Sequence, residues 1–188
     1  MSKTGDNSTM RIKSLVFVLM VAAITFLVAC SGKVSNTATQ TRPPKNESPA
    51  EPSALPNQGF KAEITLIDPP AKLRTGQKET IRVKVKNSSD VMWWSRGARI
   101  NTRPDNKFYI AVGNRWLKSD GSLLTNMDGR YGIPKDLASA EETEVPLSIT
   151  APKEPGDYTL EIDLVQEQVA WFSEKGSPTA KTKITVVK

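Results

Sequence analysis

Strict alternation constrains this chain more than anything else in it. Thr80 to Asn87 sets Ile81, Val83 and Val85 on one side and Arg82, Lys84 and Lys86 on the other. Asp157 to Val165 sets Tyr158, Leu160, Ile162 and Leu164 against Thr159, Glu161 and Asp163. A period of two places alternate side chains on opposite faces of an extended chain, so each stretch reads as a strand with one buried and one wet face. Lys61 to Ile67, Phe108 to Trp116, Glu144 to Ile149 and Lys181 to Val187 read the same way. Asn87-Ser88-Ser89-Asp90, Asp120-Gly121, Asp128-Gly129 and Pro155-Gly156-Asp157 supply turn chemistry between them. No segment of this part of the chain carries a helical period. About seven short strands, each with a polar face, predict an all-β chain over residues 59–188, folded as two antiparallel sheets packed face to face. Tyr158, following Pro155-Gly156-Asp157 into a strand, has the form of a tyrosine corner.

Two counts exclude whole classes of chemistry. The chain has no His, so a Ser-His-Asp triad, a Cys-His nucleophile or a His-ligated zinc cannot be built. It has one Cys, Cys30, so the sandwich has no internal disulfide and no Cys cluster for a metal. The Ser-x-x-Lys spacing of one serine-nucleophile class does not occur. No cofactor and no metal site are expected.

Leu15 to Ala29 is apolar but for Thr25 and follows Arg11 and Lys13. A basic flank and a short apolar run describe a secretory signal peptide, and 15 residues fall short of the roughly 20 a spanning helix needs. Met1 and Met10 are alternative starts. The run ends in Leu27-Val28-Ala29-Cys30. These four residues resemble the lipobox of bacterial lipoproteins. The resemblance implies a signal peptide over 1–29, acylation of Cys30, and partnership with a membrane through that lipid. Ser31 after the Cys implies the outer membrane in a diderm cell, and otherwise the protein would sit on the outer face of the cell membrane. Residues 30–58 are then the lipidated Cys and a tether rich in Pro, Ser and Thr, too poor in apolar side chains to offset its ordering entropy. Of the formal +6, residues 1–29 hold a net +2 and residues 31–58 a net +1, which leaves +3 on the domain with both signs interspersed. That is an ordinary soluble surface, and no nucleic-acid partner is expected.

A second resemblance covers roughly residues 78–187. Val85-Lys86-Asn87, Trp94, Asp120-Gly121, Asp128-Gly129-Arg130, Ile133-Pro134, Ala151-Pro152, Pro155 to Leu160, Ile162 to Glu167 and Val169-Ala170-Trp171-Phe172 stand in the order of an immunoglobulin-like accessory module of bacterial surface proteins. Similar modules are appended to bacterial glycosyltransferases and methyltransferases. The resemblance implies an immunoglobulin-like sandwich and no catalytic role. Ala140-Glu141-Glu142 departs from it, standing where the family has a Pro-Gly-Glu turn. Asn87, Trp93, Trp94 and Ala151 to Tyr158 are also similar to the four-tryptophan sandwich of autophagy receptors.

Adjacent Trp93 and Trp94 cannot both point inward on one strand, so one ring is expected outside. Trp93, with Phe172, is the candidate binding pair; Trp94, Trp116 and Trp171 are assigned to the core. Arg130 and Arg115 are candidate partners for Asp163 and Glu167 in a structural charge network that ties the Asp128-Gly129-Arg130 loop to the Asp163–Glu167 strand. Asp163 and Glu167 as paired hydrolytic carboxylates, and Asp120 with Asp128 as a calcium site, are the alternatives. The expected function is a non-catalytic binding or structural module of an envelope lipoprotein, with a protein as partner. A glycan held by exposed aromatics is the other reading, and an enzyme is not expected.

Overall fold

The computed structural model of the protein describes residues 50–97, 104–125 and 128–188, all within the compact unit Glu47–Lys188. Six long strands form where the alternation places them. They are β1 (Ala62–Ile67), β3 (Lys78–Asn87), β4 (Ile110–Leu117), β7 (Glu142–Thr150), β8 (Gly156–Gln166) and β10 (Ala180–Val187). Four pieces of two or three residues join them: β2 (Lys72–Arg74), β5 (Leu123–Thr125), β6 (Arg130–Gly132) and β9 (Ala170–Trp171). One sheet has the order β1-β3-β7. The other runs β2-β10-β8-β4-β5, with β6 also on β4 and β9 on β8. All pairs are antiparallel except β2 with β10. The fold is an all-β, immunoglobulin-like sandwich without a disulfide among the described residues.

The two inner faces meet in one apolar core. Ile81, Val83 and Val85 of β3 and Val145, Leu147 and Ile149 of β7 lie in it with Ile110, Val112 and Trp116 of β4 and Leu160, Ile162 and Leu164 of β8. Each of these large side chains, fully buried, contributes roughly 1.5–3 kcal/mol. Asn87 closes the end of β3 by satisfying its own buried amide: Nδ2 donates to the carbonyls of Val91 and Leu137, and Oδ1 accepts from Ser89. Tyr158 makes its corner, donating its hydroxyl proton to the Glu154 carbonyl at 3.0 Å.

Two features differ from the sequence reading. The tether is not free as far as residue 58. Leu55 is buried in the core, and its N–H donates to Gln166 Oε1 at 2.9 Å while Gln166 Nε2 donates to the Ser53 carbonyl. Gln166 is itself fully buried and needs these partners, so packing on the sandwich reaches back to Ser53. Residues 1–49, with the expected signal peptide and Cys30, lie outside the described residues. The second feature is Ala140, which has φ +65° in the turn before β7. The left-handed region costs a residue with a Cβ about 1–2 kcal/mol. In the Pro-Gly-Glu register Ala140 stands at the Pro, which cannot take a positive φ, so the turn before β7 is built differently here.

Candidate functional site

The outer face of the seven-stranded sheet carries the charge network. Arg130 Nη1, on β6, donates to both Glu167 oxygens at 2.8 and 2.6 Å. Arg115, on β4, lies 3.4 Å from Asp163 and 3.6 Å from Glu161. Both carboxylates Asp163 and Glu167 keep only 1% of their side-chain surface. Trp171 stands between the two arginines, with its ring centroid 4.5 Å from the Arg115 guanidinium and 5.0 Å from that of Arg130. A guanidinium over an indole face gains about 0.5–2 kcal/mol, more as water is removed. The stack needs Gly113 on β4 beneath it, because a Cβ there would lie 2.8 Å from Trp171 Cη2.

Burial pushes the Asp163 carboxyl up, although the Ser173 hydroxyl at 2.6 Å and Arg115 pull the other way. At Glu161 burial also raises the carboxyl, but Thr179, Lys181 and Arg115 outweigh it and hold the group below its ordinary value. Asp163 spends one oxygen on Ser173 and Arg115 and the other on the Leu164 N–H. Glu167 spends both on Arg130. This is the chemistry of a tie between strands.

The candidate binding pair Trp93 and Phe172 is corrected by the structure. Both are fully buried. Trp93 makes a two-residue bridge with Leu137, and its indole N–H reaches the Gly59 carbonyl at 2.9 Å. Phe172 meets Trp93 and Phe60 edge-on at 5.0 Å each. One ring of the Trp-Trp pair does face outward, and it is Trp94, which is half-buried. Trp171, assigned to the core from sequence, lies on the outer face and is also half-buried. Trp116 is in the core as expected.

The calcium alternative fares no better. Asp120 caps its own turn by accepting the Ser122 N–H, and the Ser122 contacts hold its carboxyl low. Asp128 accepts the Thr150 N–H from β7, while burial raises its carboxyl. Among the described residues no group of three or more Asp, Glu, Cys or His is placed to hold a metal ion.

One concavity was not anticipated. Between the β7 edge of one sheet and the β4–β5 edge of the other lies a groove of about 520 Å³. Trp116, Leu124, Ala151, Pro152 and Tyr158 make its apolar walls, with Asp128, Lys118, Lys153 and Glu154 at its rim. Trp116 and Tyr158 pack edge-on at 6.3 Å. Leu123 and Leu124, on β5, are 53% and 37% exposed. The Trp116 indole N–H and the side-chain amide of Asn114, two residues back on the same face of β4, are buried without a partner. An apolar concavity with a few polar groups and a carboxylate displaced by burial is the usual form of a binding site. The sequence did carry one sign of it. Leu123-Leu124 is a pair of adjacent apolar residues in a stretch that turn chemistry brackets on both sides and that period two does not explain.

No protein-family profile and no curated protein matches the sequence. Among solved structures, the chain is similar to the CARDB domain of a protein from Pyrococcus furiosus, at 17% identity and a TM-score of 0.39, over 68% of this chain and 93% of that one. A beta-glucosidase from Listeria innocua gives 13% identity and a TM-score of 0.41, over 68% of this chain but only 16% of the glucosidase. Spo0M, a sporulation control protein from Bacillus subtilis, gives 13% identity and a TM-score of 0.35, over 68% of this chain and 49% of its own.

Proposed function

We propose that the chain is an envelope lipoprotein, anchored through lipid on Cys30, whose sandwich is a non-catalytic module that binds another protein. The observation that carries the binding reading is the groove beside β5, where exposed Leu123 and Leu124 adjoin an apolar cleft at a sheet edge. An apolar cleft edged by a few polar groups is the usual form of a binding site. The lipobox supports the anchor, and the occupied oxygens of Asp163 and Glu167 support a domain without catalysis.

The full-length chain in its source cell tests both halves. A fatty acid carrying an alkyne should label the wild type and leave Cys30→Ala unlabelled and released from the membrane; equal labelling of Cys30→Ala would sink the anchor. Capture from solubilised envelopes should recover a specific protein with the wild type and lose it with Leu124→Asp. The same proteins recovered with both chains would remove the groove from the reading.

A further inference from the structure

We propose that the groove takes an extended segment of a different protein, which adds to the open edge of β5 as a strand and seats an apolar side chain against Trp116 and Tyr158. The inference rests on the protein-binding reading above and names the kind of partner and how it is held.

Three observations point to an extended peptide. Among the described residues β5 pairs only with β4, so its other edge presents main-chain donors and acceptors to solvent beside the groove. An incoming strand satisfies those groups, while pockets at alternate side chains read its sequence. Leu123, Leu124 and Thr125 are all exposed, and among the described residues no second strand pairs with this edge. The groove holds one or two large apolar side chains and does not close over them, which suits a side chain carried by a chain running past.

The groove lies apart from the place where the described residues enter the domain. Residues 53–55 join the sandwich at Gln166, the last residue of β8. The groove lies at the other end of the same strand, beside Tyr158 and Glu154. Eleven residues of β8 separate the ends by about 30 Å. The entry point therefore lies far from the groove, and the rim bears on what fills it. The rim differs in kind from a lipid-binding patch. Lys118 and Lys153 alternate with Asp128 and Glu154, which gives no net positive field for anionic headgroups. A flexible mixed-charge rim around an apolar floor fits a polypeptide that carries both signs.

The test uses the full-length chain in its native envelope with a photoreactive phenylalanine in place of Leu124, and a second chain with it in place of Lys183 on the far strand β10. The expected result is a cross-link from position 124, absent from position 183, to a stretch of another protein with an apolar residue at the link. A synthetic peptide of that stretch should then slow hydrogen exchange at residues 123–125 by about tenfold or more, because strand addition protects the edge amides. A cross-link to a second copy of this chain, or to lipid, overturns the proposal. A peptide that binds without slowing residues 123–125 overturns strand addition and leaves the protein-binding reading standing. No cross-link from position 124, together with unchanged capture by Leu124→Asp, defeats both.

Discussion

On the outer face of the three-stranded sheet, Arg82, Lys84 and Lys86 stand in water and reach Glu144, Glu142 and Glu63 at 3.3–3.7 Å. On the outer face of the seven-stranded sheet, Arg115 and Arg130 meet their carboxylates under Trp171, with 17% and 14% of their own side-chain surface left. Both faces are built from alternating charged residues, and both pair opposite signs across strands. They differ in what lies on top. Among the described residues the three-stranded sheet has nothing over it, so its exposed pairs are screened and contribute about 0–1 kcal/mol each. The seven-stranded sheet has the Trp171 ring lying against Gly113 and both guanidiniums, and Ser173 on Asp163, so its pairs have lost most of their water. A desolvated pair is costly to break, because removing one partner strands the other.

The largest test of this contrast is Arg130→Ala. It leaves Glu167 buried with no counter-charge, and the domain should lose about 3–5 kcal/mol in chemical denaturation. A loss below 1 kcal/mol would mean that the two faces are alike. Gly113→Ala comes next. Its new Cβ would press on the Trp171 ring at 2.8 Å, and overpacking of this kind costs about 1–3 kcal/mol. Near-UV circular dichroism should report the displaced indole, and an unchanged spectrum with an unchanged midpoint would contradict the stack.

A pH titration sharpens the comparison further. Asp163 has its folded value raised, so its contribution is fully present below the unfolded carboxylate value and is lost as pH rises through the folded one. Glu161, held low, does the reverse and loses its contribution as pH falls through its folded value. Asp163→Asn should therefore gain on the wild type as pH rises through the raised Asp163 value, when stability is measured across the acid range. A constant difference at every pH would contradict the assignment. The smallest effect belongs to the open face: Lys84→Ala should cost about 0–1 kcal/mol, and added salt should shrink the cost further.

The long strands were legible because burial on one face writes itself into the sequence as a period of two. β3, β7 and β10 follow that rule nearly residue for residue, while β8 alternates in sequence but is buried on both faces from Leu160 to Gln166. The short pieces β2, β5, β6 and β9 were not, since three residues or fewer hold no period, and their places depend on partners far along the chain. The charge partners were readable by type, with Arg115, Arg130, Asp163 and Glu167 all named. Their division into two pairs around Trp171 was not, because it depends on β6 joining the sheet through β4 and β9 through β8. The aromatic residues misled for a related reason. Sequence shows that one ring of Trp93-Trp94 must face out, but the choice is made by the bridge to Leu137, 44 positions away. The groove was illegible because it is a gap between edges, and edges belong to topology.

β8 is flanked on both sides, by β4 over Leu117 to Ile110 and by β10 over Val186 to Ala180. Its Gln166 end holds residues 53–55, and its Gly156 end lies by the groove. If a partner pulls on the groove while the other end is held, the tension that reaches β8 runs along the strand. Two ladders of hydrogen bonds then bear it in shear, and many must yield together, whereas a strand peeled from an edge gives up its bonds one at a time. The central strand is thus the mechanical spine of the domain. A chain tethered at one pole and gripped at the other would resist extension better than its modest size suggests.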